Sequence, residues 1–145
     1  RLLAATGAQD LMSASPNKRR AGEVMGGAFI ADPRPAVKGD KVQGVRCSAC
    51  NYPSAPAAPW CPACQSRDQT EAEFGPGGTV WASTLVHIPV GKWTPPYAMA
   101  YVDLDDGPRV IAHLQHPQIE KPGTRVRISH GEDGDLWVAL EEQAS

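Results

Sequence analysis

Long apolar runs are missing from this sequence. No stretch approaches the roughly 18 apolar residues that a membrane-crossing helix needs, so no span is expected. An excess of charge is missing too: the formal net charge is -2, which gives no general pull towards nucleic acid or an anionic membrane. Aromatic residues make up only 6% of the chain. That scarcity argues against a groove in which successive bases stack on rings beside basic side chains. Cysteine is limited to four residues, all between positions 47 and 64. No secretory signal pattern is visible, and free thiols suit a reducing compartment, so a cytoplasmic protein is expected.

What is plentiful is glycine and proline, 14 of each in 145 residues, which points to many turns and short strands. The length allows one domain or two small ones, and 41% hydrophobic with 21% charged residues is ordinary for a globular protein. The four cysteines form two pairs, Cys47-Ser48-Ala49-Cys50 and Cys61-Pro62-Ala63-Cys64, ten residues apart. Each C-x-x-C turn aims two sulfurs at one point, and two such turns supply a tetrahedral set. Two disulfides would suit a small secreted protein, and a redox pair would need only one such turn in a strand–helix setting. Metal binding is therefore expected at Cys47, Cys50, Cys61 and Cys64, with zinc as the metal and iron as an alternative for a sulfur-only site. Four protein ligands leave no open position, so the metal is expected to be structural.

Along the chain, residues 1–41 read as an amino-terminal helical and extended segment with a linker. Leu2, Leu3, Leu11 and Met12 suggest one helical piece and Ala21 to Ile30 another. The basic cluster Asn17-Lys18-Arg19-Arg20 reads as a solvated turn, and Asp32 to Lys41 as extended linker. Residues 42–70 read as a rubredoxin-like zinc ribbon. From residue 71 to 145 the pattern becomes strands: Val80 to Ile88 alternates with period two, followed by Tyr97 to Leu104, Arg109 to Leu114, Thr124 to Ser129 and Leu136 to Leu140. Ala98, Ala100, Val102 and Leu104 share one face, as do Val110, Ala112 and Leu114. Five short strands after a glycine-rich start suggest a small Greek-key barrel, the OB-fold, with an open five-stranded sheet as the alternative. The fold class is thus mainly β, with no room for a helix between the third and fourth of these strands.

The wording of the strands carries a resemblance. Gly78-Thr79-Val80-Trp81-Ala82-Ser83-Thr84, Pro95-Pro96-Tyr97-Ala98-Met99-Ala100-Tyr101-Val102-Asp103-Leu104, Gly107-Pro108-Arg109-Val110 and Gly123-Thr124-Arg125-Val126, behind a four-cysteine ribbon, resemble the acyl-CoA-associated zinc-ribbon and OB-fold family, catalogued as a domain of unknown function. The resemblance runs from about Val42 to Leu140. It implies an accessory subunit in a hetero-oligomer with a thiolase-superfamily protein that makes or breaks carbon–carbon bonds in acyl-CoA thioesters. Acetyl transfer and retro-aldol cleavage of steroid side chains are the implied reactions. The accessory subunit would stabilise its partner and bridge the CoA and substrate channel. Where the family often has glycine after the second and fourth cysteines, this chain has Asn51 and Gln65, and the family's frequent Phe-Trp helix before the ribbon is absent.

No residue set reads as a catalytic centre, and none is expected in this chain. His113 and His116 have a spacing that suits a second metal, but surface histidines beside a proline turn are the favoured reading. Asp103, Asp105 and Asp106 read as a solvated hairpin. The segment Lys92-Trp93-Thr94-Pro95-Pro96-Tyr97 joins an indole, a cation and stiff prolines. It is either an interface hot spot or lid, or a cap folded back on the barrel. Arg109, Arg125 and Arg127 share outward faces and could meet a CoA phosphate or an acidic partner, a plain solvated face being the simpler reading. Lys92, Trp93, Pro95, Pro96, Tyr97 and Arg109 are the candidate partner- or ligand-binding residues. The alternative function is a single-stranded nucleic-acid-binding ribbon and OB module, disfavoured by charge and aromatic content.

Overall fold

The computed structural model describes residues 34–141, which group as one compact unit. The helical pieces and the start of the linker expected over residues 1–33 lie outside the described residues. The end of that linker is a strand: β1 (Val37–Lys38) turns at Gly39, φ +64°, into β2 (Lys41–Cys47). β2 is the spine of the ribbon. β4 (Gln69–Phe74) pairs along its whole length, from Val42↔Phe74 to Cys47↔Gln69, while β1 and β3 (Pro53–Ser54) share its other edge. The β2–β3 crossing is tight at Gly44, where a Cβ would run into the Ser54 carbonyl.

The remaining strands close a barrel: β5 (Gly77–Val86), β6 (Tyr97–Leu104), β7 (Arg109–Leu114), β8 (Arg125–Glu132) and β9 (Asp135–Leu140), in the order β5-β6-β7-β9-β8. Only β7 and β9 run parallel. This is the closed Greek-key arrangement of an OB-fold rather than an open sheet. Alternation on β6 and β7 follows the expected phase, with Ala98, Ala100, Val102, Leu104, Val110, Ala112 and Leu114 all buried. Gly78 is required where β5 starts, because a Cβ there would lie 2.7 Å from Val102 Cγ1. Val42 and Phe74, both from the ribbon sheet, are buried in the same core cluster as the barrel residues. Ribbon and barrel thus share apolar burial worth about 1.5–3 kcal/mol per large side chain.

β5 departs from the single period-two phase expected over Val80 to Ile88. A bulge between Val80 and Ala82 inserts Trp81, and the face reverses. Before it, Val80 is inward; beyond it, Ser83 and Leu85 lie opposite the buried Ala100 and Ala98. Ser83 is part-buried, and its hydroxyl donates to the Glu120 carbonyl (2.7 Å) and accepts from the Glu120 N–H (2.8 Å). That pair pins the β7–β8 crossover where a helix would otherwise close the barrel. Among the described residues no helix is long and apolar enough to cross a membrane.

Candidate metal centre and outer face

Both cysteine turns are built alike. The Asn51 N–H donates to the Cys47 carbonyl (2.9 Å) and the Gln65 N–H to the Cys61 carbonyl (2.8 Å). Each closing residue is left-handed, Asn51 at φ 67° and Gln65 at φ 65°. Glycine would sit there without strain; asparagine tolerates it, and glutamine does so at a cost. The Cys47 N–H is held by the Tyr52 carbonyl (3.0 Å) and the Cys61 N–H by the Ser66 carbonyl (2.8 Å). The chain therefore fixes both sulfur pairs through its own backbone.

The four sulfurs lie within 4.8 Å of one another. Cys47 Sγ and Cys64 Sγ are 3.6 Å apart, as are Cys50 Sγ and Cys61 Sγ. Four sulfurs each about 2.3 Å from a tetrahedral centre stand about 3.8 Å apart, so the set fits a zinc-sized ion. Its proton chemistry also suits a cation. The Cys47 thiol is lowered to about 7, chiefly because the Cys50 backbone N–H favours its thiolate, with burial opposing. Cys50 is pushed up to about 12: the Tyr52 N–H favours its thiolate, but the sulfurs of Cys64, Cys61 and Cys47, together with burial, outweigh that. One thiolate forms readily and crowding resists the next, which is the situation a bound cation relieves. Cys47 and Cys61 are buried while Cys50 and Cys64 are exposed. Among the described residues this is the one group of three or more potential metal ligands.

The second candidate region folds back on the barrel. Trp93 stacks on His113 with ring centroids 4.2 Å apart and lies 5.4 Å from Trp137 and 6.0 Å from Tyr97. Lys92 stays exposed, paired with Asp133 at 2.8 Å and lying 5.0 Å over the Trp93 ring. Pro95 is half-buried and Pro96 exposed between this stack and β6. The large aliphatic side chains left in solvent here are Ile88, 66% exposed, and Val90, 51%. His113 corrects the surface-histidine expectation: it faces outward from β7 yet is buried, covered by the two indoles, while His116 is exposed.

Arg109 lies four residues from His113 at the other end of β7, so it does not join the Lys92–Tyr97 group. Its Nε and Nη2 donate to the two Asp103 carboxylate oxygens at 2.6 and 3.0 Å. Its guanidinium sits 4.0 Å from the Trp81 ring centroid. Arg125 is likewise engaged by Asp105 at 2.6 Å and Glu141 at 3.0 Å, so Asp103 and Asp105 are ion-pair partners rather than merely solvated turn residues. A cleft of about 540 Å³ between ribbon and barrel includes Tyr52, Pro56, Pro62 and Pro108, and Arg109 is the one cation in its lining. The sequence reading passed over Trp81, Tyr101 and Ile111. The signal for them was large apolar residues at the outward positions of strands whose inward positions were already apolar.

A four-sulfur ribbon feeding a closed five-stranded barrel defines a ribbon-plus-OB class of protein, and the comparisons narrow it. Residues 71–130 match the family model of the ChsH2 C-terminal OB-fold domain. Among solved structures, the chain is similar to the Ltp2-ChsH2 (DUF35) aldolase, at 25% identity and TM-score 0.57, over 69% of this chain and 84% of that one. It also shares its fold with a DUF35-family protein of unknown function from Sulfolobus solfataricus, at 19% identity and TM-score 0.56, over 70% of this chain and 77% of the other. No curated protein sequence matches the chain. These matches agree with the resemblance carried by the strands: the barrel portion is like the ChsH2 C-terminal OB-fold domain, and the fold is that of the two DUF35 structures.

Proposed function

We propose that this chain is the accessory subunit of a hetero-oligomeric enzyme acting on acyl-CoA thioesters, in which a thiolase-superfamily partner carries the chemistry. The observation that supports this most directly is the likeness to a ChsH2-containing aldolase over most of both chains. The chain's own residues point the same way. Its four cysteines converge on one metal-sized site, which in this reading holds structural zinc and leaves no thiol to act as nucleophile. Its best-placed cations, Arg109 and Arg125, are already neutralised by carboxylates. The catalytic groups and most of the CoA contacts therefore fall to the partner. This subunit braces it and bridges the substrate channel through the Lys92–Tyr97 loop and the neighbouring barrel face. Retro-aldol or thiolase-type cleavage of a bulky acyl-CoA, such as a degraded steroid side chain, in the cytoplasm is the setting proposed.

Co-expression with a thiolase-superfamily subunit tests this. The expected result is a stable complex with one zinc per copy of this chain and acyl-CoA cleavage that requires both subunits. Full-rate turnover by the isolated chain, or failure of the two to associate, would defeat the reading.

A further inference from the structure

The outside of a barrel is where polar side chains belong, yet across β5, β6 and β7 it carries large apolar ones. Trp81 is 52% exposed, Tyr101 47% and Ile111 45%. They adjoin one another: Tyr101 pairs with Ile111 on one side and with Ala82, next to Trp81, on the other. Trp81 stands out because the β5 bulge inserts it, and bulges serve to re-aim side chains. The indole is held rather than loose. The Arg109 guanidinium stacks 4.0 Å from its ring, and the Tyr101 ring meets it edge-on at 6.1 Å. Beside it runs a groove of about 380 Å³ lined by Trp81, Thr84, Met99, Tyr101 and Ile111 among others.

Three features decide what fits there. The first is charge. No charged side chain lines the groove, and the neighbouring Arg109 is chelated by Asp103 through two hydrogen bonds. An incoming phosphate or carboxylate would have to displace Asp103, whereas an uncharged apolar group meets no opposition. The second is topology. β6, which lays Met99 and Tyr101 along the middle of the groove, is paired on both edges from Met99 to Asp103, so an added strand has nothing to bond to there and recognition must go through side chains. The third is size. Three half-exposed side chains on adjacent strands about 4.8 Å apart make a patch well below the roughly 800 Å² per partner that a stable self-association buries. The groove is an anchor point inside a larger interface rather than a homodimer face.

We infer that the Trp81–Tyr101–Ile111 groove receives uncharged apolar side chains of the catalytic partner subunit, with Trp81 as the central hot spot. This rests on the accessory-subunit reading above. Rigid aromatic anchors rimmed by paired charges are the usual form of such sites. Binding of the full chain to a co-expressed thiolase-superfamily subunit is the test. Trp81→Ala and Ile111→Asp are each expected to weaken the complex about 30-fold or more, with a loss that stays the same when salt is raised about tenfold. Arg109→Gln is expected to weaken it less than Trp81→Ala does. All the altered residues are exposed, and an unchanged far-ultraviolet dichroism and melting temperature separate lost docking from lost fold. Ile111→Ser serves if the aspartate perturbs the barrel. Variants that bind within about threefold of wild type overturn the inference and leave the accessory reading standing. So does binding that salt or Arg109→Gln abolishes while Ile111→Asp is tolerated, which would indicate anionic docking. A self-dimer lost on Ile111→Asp overturns it as well, in favour of a second copy as occupant. Wild-type chain that fails to bind overturns both readings.

Discussion

His113 is a buried base with no hydrogen-bond partner for its Nδ1 and an indole on either side. Burial holds its pKa below the ordinary histidine value; Asp135, 3.8 Å from Nε2, pulls the other way, and Lys92 adds like-charge repulsion. The native state thus takes up this proton less readily than the unfolded chain, whose histidines titrate near 6.5. The stability this gives is complete above that value and is lost as pH falls through the depressed native one. Asp103, Asp105 and Asp133 are held low by Arg109, Arg125 and Lys92 respectively, so their contributions disappear only in the more acidic carboxylate range. Urea midpoints should therefore drop between about pH 7.5 and about pH 5 in the wild type. In His113→Phe, which keeps a ring in the stack, the drop should be smaller, leaving only the part that the cysteine site contributes as its thiolates take up protons; an equal drop there would exonerate His113. Gln65 offers a second single-residue test. It holds a left-handed φ of 65° where glycine carries no Cβ penalty. Gln65→Gly should raise stability by about 1 kcal/mol, read as a higher unfolding midpoint for the metal-bound protein. A lower midpoint would mean that its side chain supplies something other than strain.

Elements were legible in the sequence to the degree that apolar burial alone shapes them. β6 and β7 could be read from Ala98 to Leu104 and from Val110 to Leu114 because one face of each is packed in the core. β4, with the sequence Gln-Thr-Glu-Ala-Glu-Phe, has almost no apolar pattern. It is set by its ladder to β2 and by the cysteines that fix the ribbon's end, neither of which leaves a period in the residues. The β5 bulge was hidden for a related reason: Trp81 and Ala82 both suit a strand, and only the closed barrel shows that one of them is extra. His113 could not be placed because what buries it, Trp93 and Trp137, lies 20 residues before it and 24 after it in the chain. The β7–β8 crossover gives a direct measure of one such nonlocal tie. Ser83→Ala leaves the Glu120 N–H and carbonyl without their part-buried partner and should cost about 1–3 kcal/mol. Hydrogen exchange at the Glu120 amide should quicken along with the fall in stability. A stable variant with a fast amide would show that the loop is dispensable to the barrel.

At the scale of the whole described unit, the metal site and the barrel are coupled through two side chains. Val42 and Phe74 belong to the ribbon sheet, pair with each other across β2 and β4, and lie in the barrel's core cluster at 0% and 3% exposure. A ribbon of this size has little core of its own. A metal held by the four cysteines would account for folding free energy on the order of 10–16 kcal/mol, as in small zinc domains. Releasing the metal should therefore do more than unravel the cysteine turns. As β2 and β4 separate, the barrel loses cover worth about 1.5–3 kcal/mol for each of the two side chains. For a unit near this length that is a fall in barrel melting temperature of roughly 15 °C or more. Trp60, exposed beside Cys61, reports on the ribbon, and Trp93 and Trp137, stacked around His113, report on the barrel. Chelation of the wild type and the Cys61→Ser variant should each move both signals, the ribbon's first and the barrel's with it. If the Trp93–Trp137 signal melted at its original temperature after the ribbon was lost, the two would be independent domains. The shared core through Val42 and Phe74 would then carry no stability, and a partner docked on the barrel would be indifferent to metal. If both signals fall together, loss of metal should also weaken any complex formed through Trp81, although no cysteine touches that face.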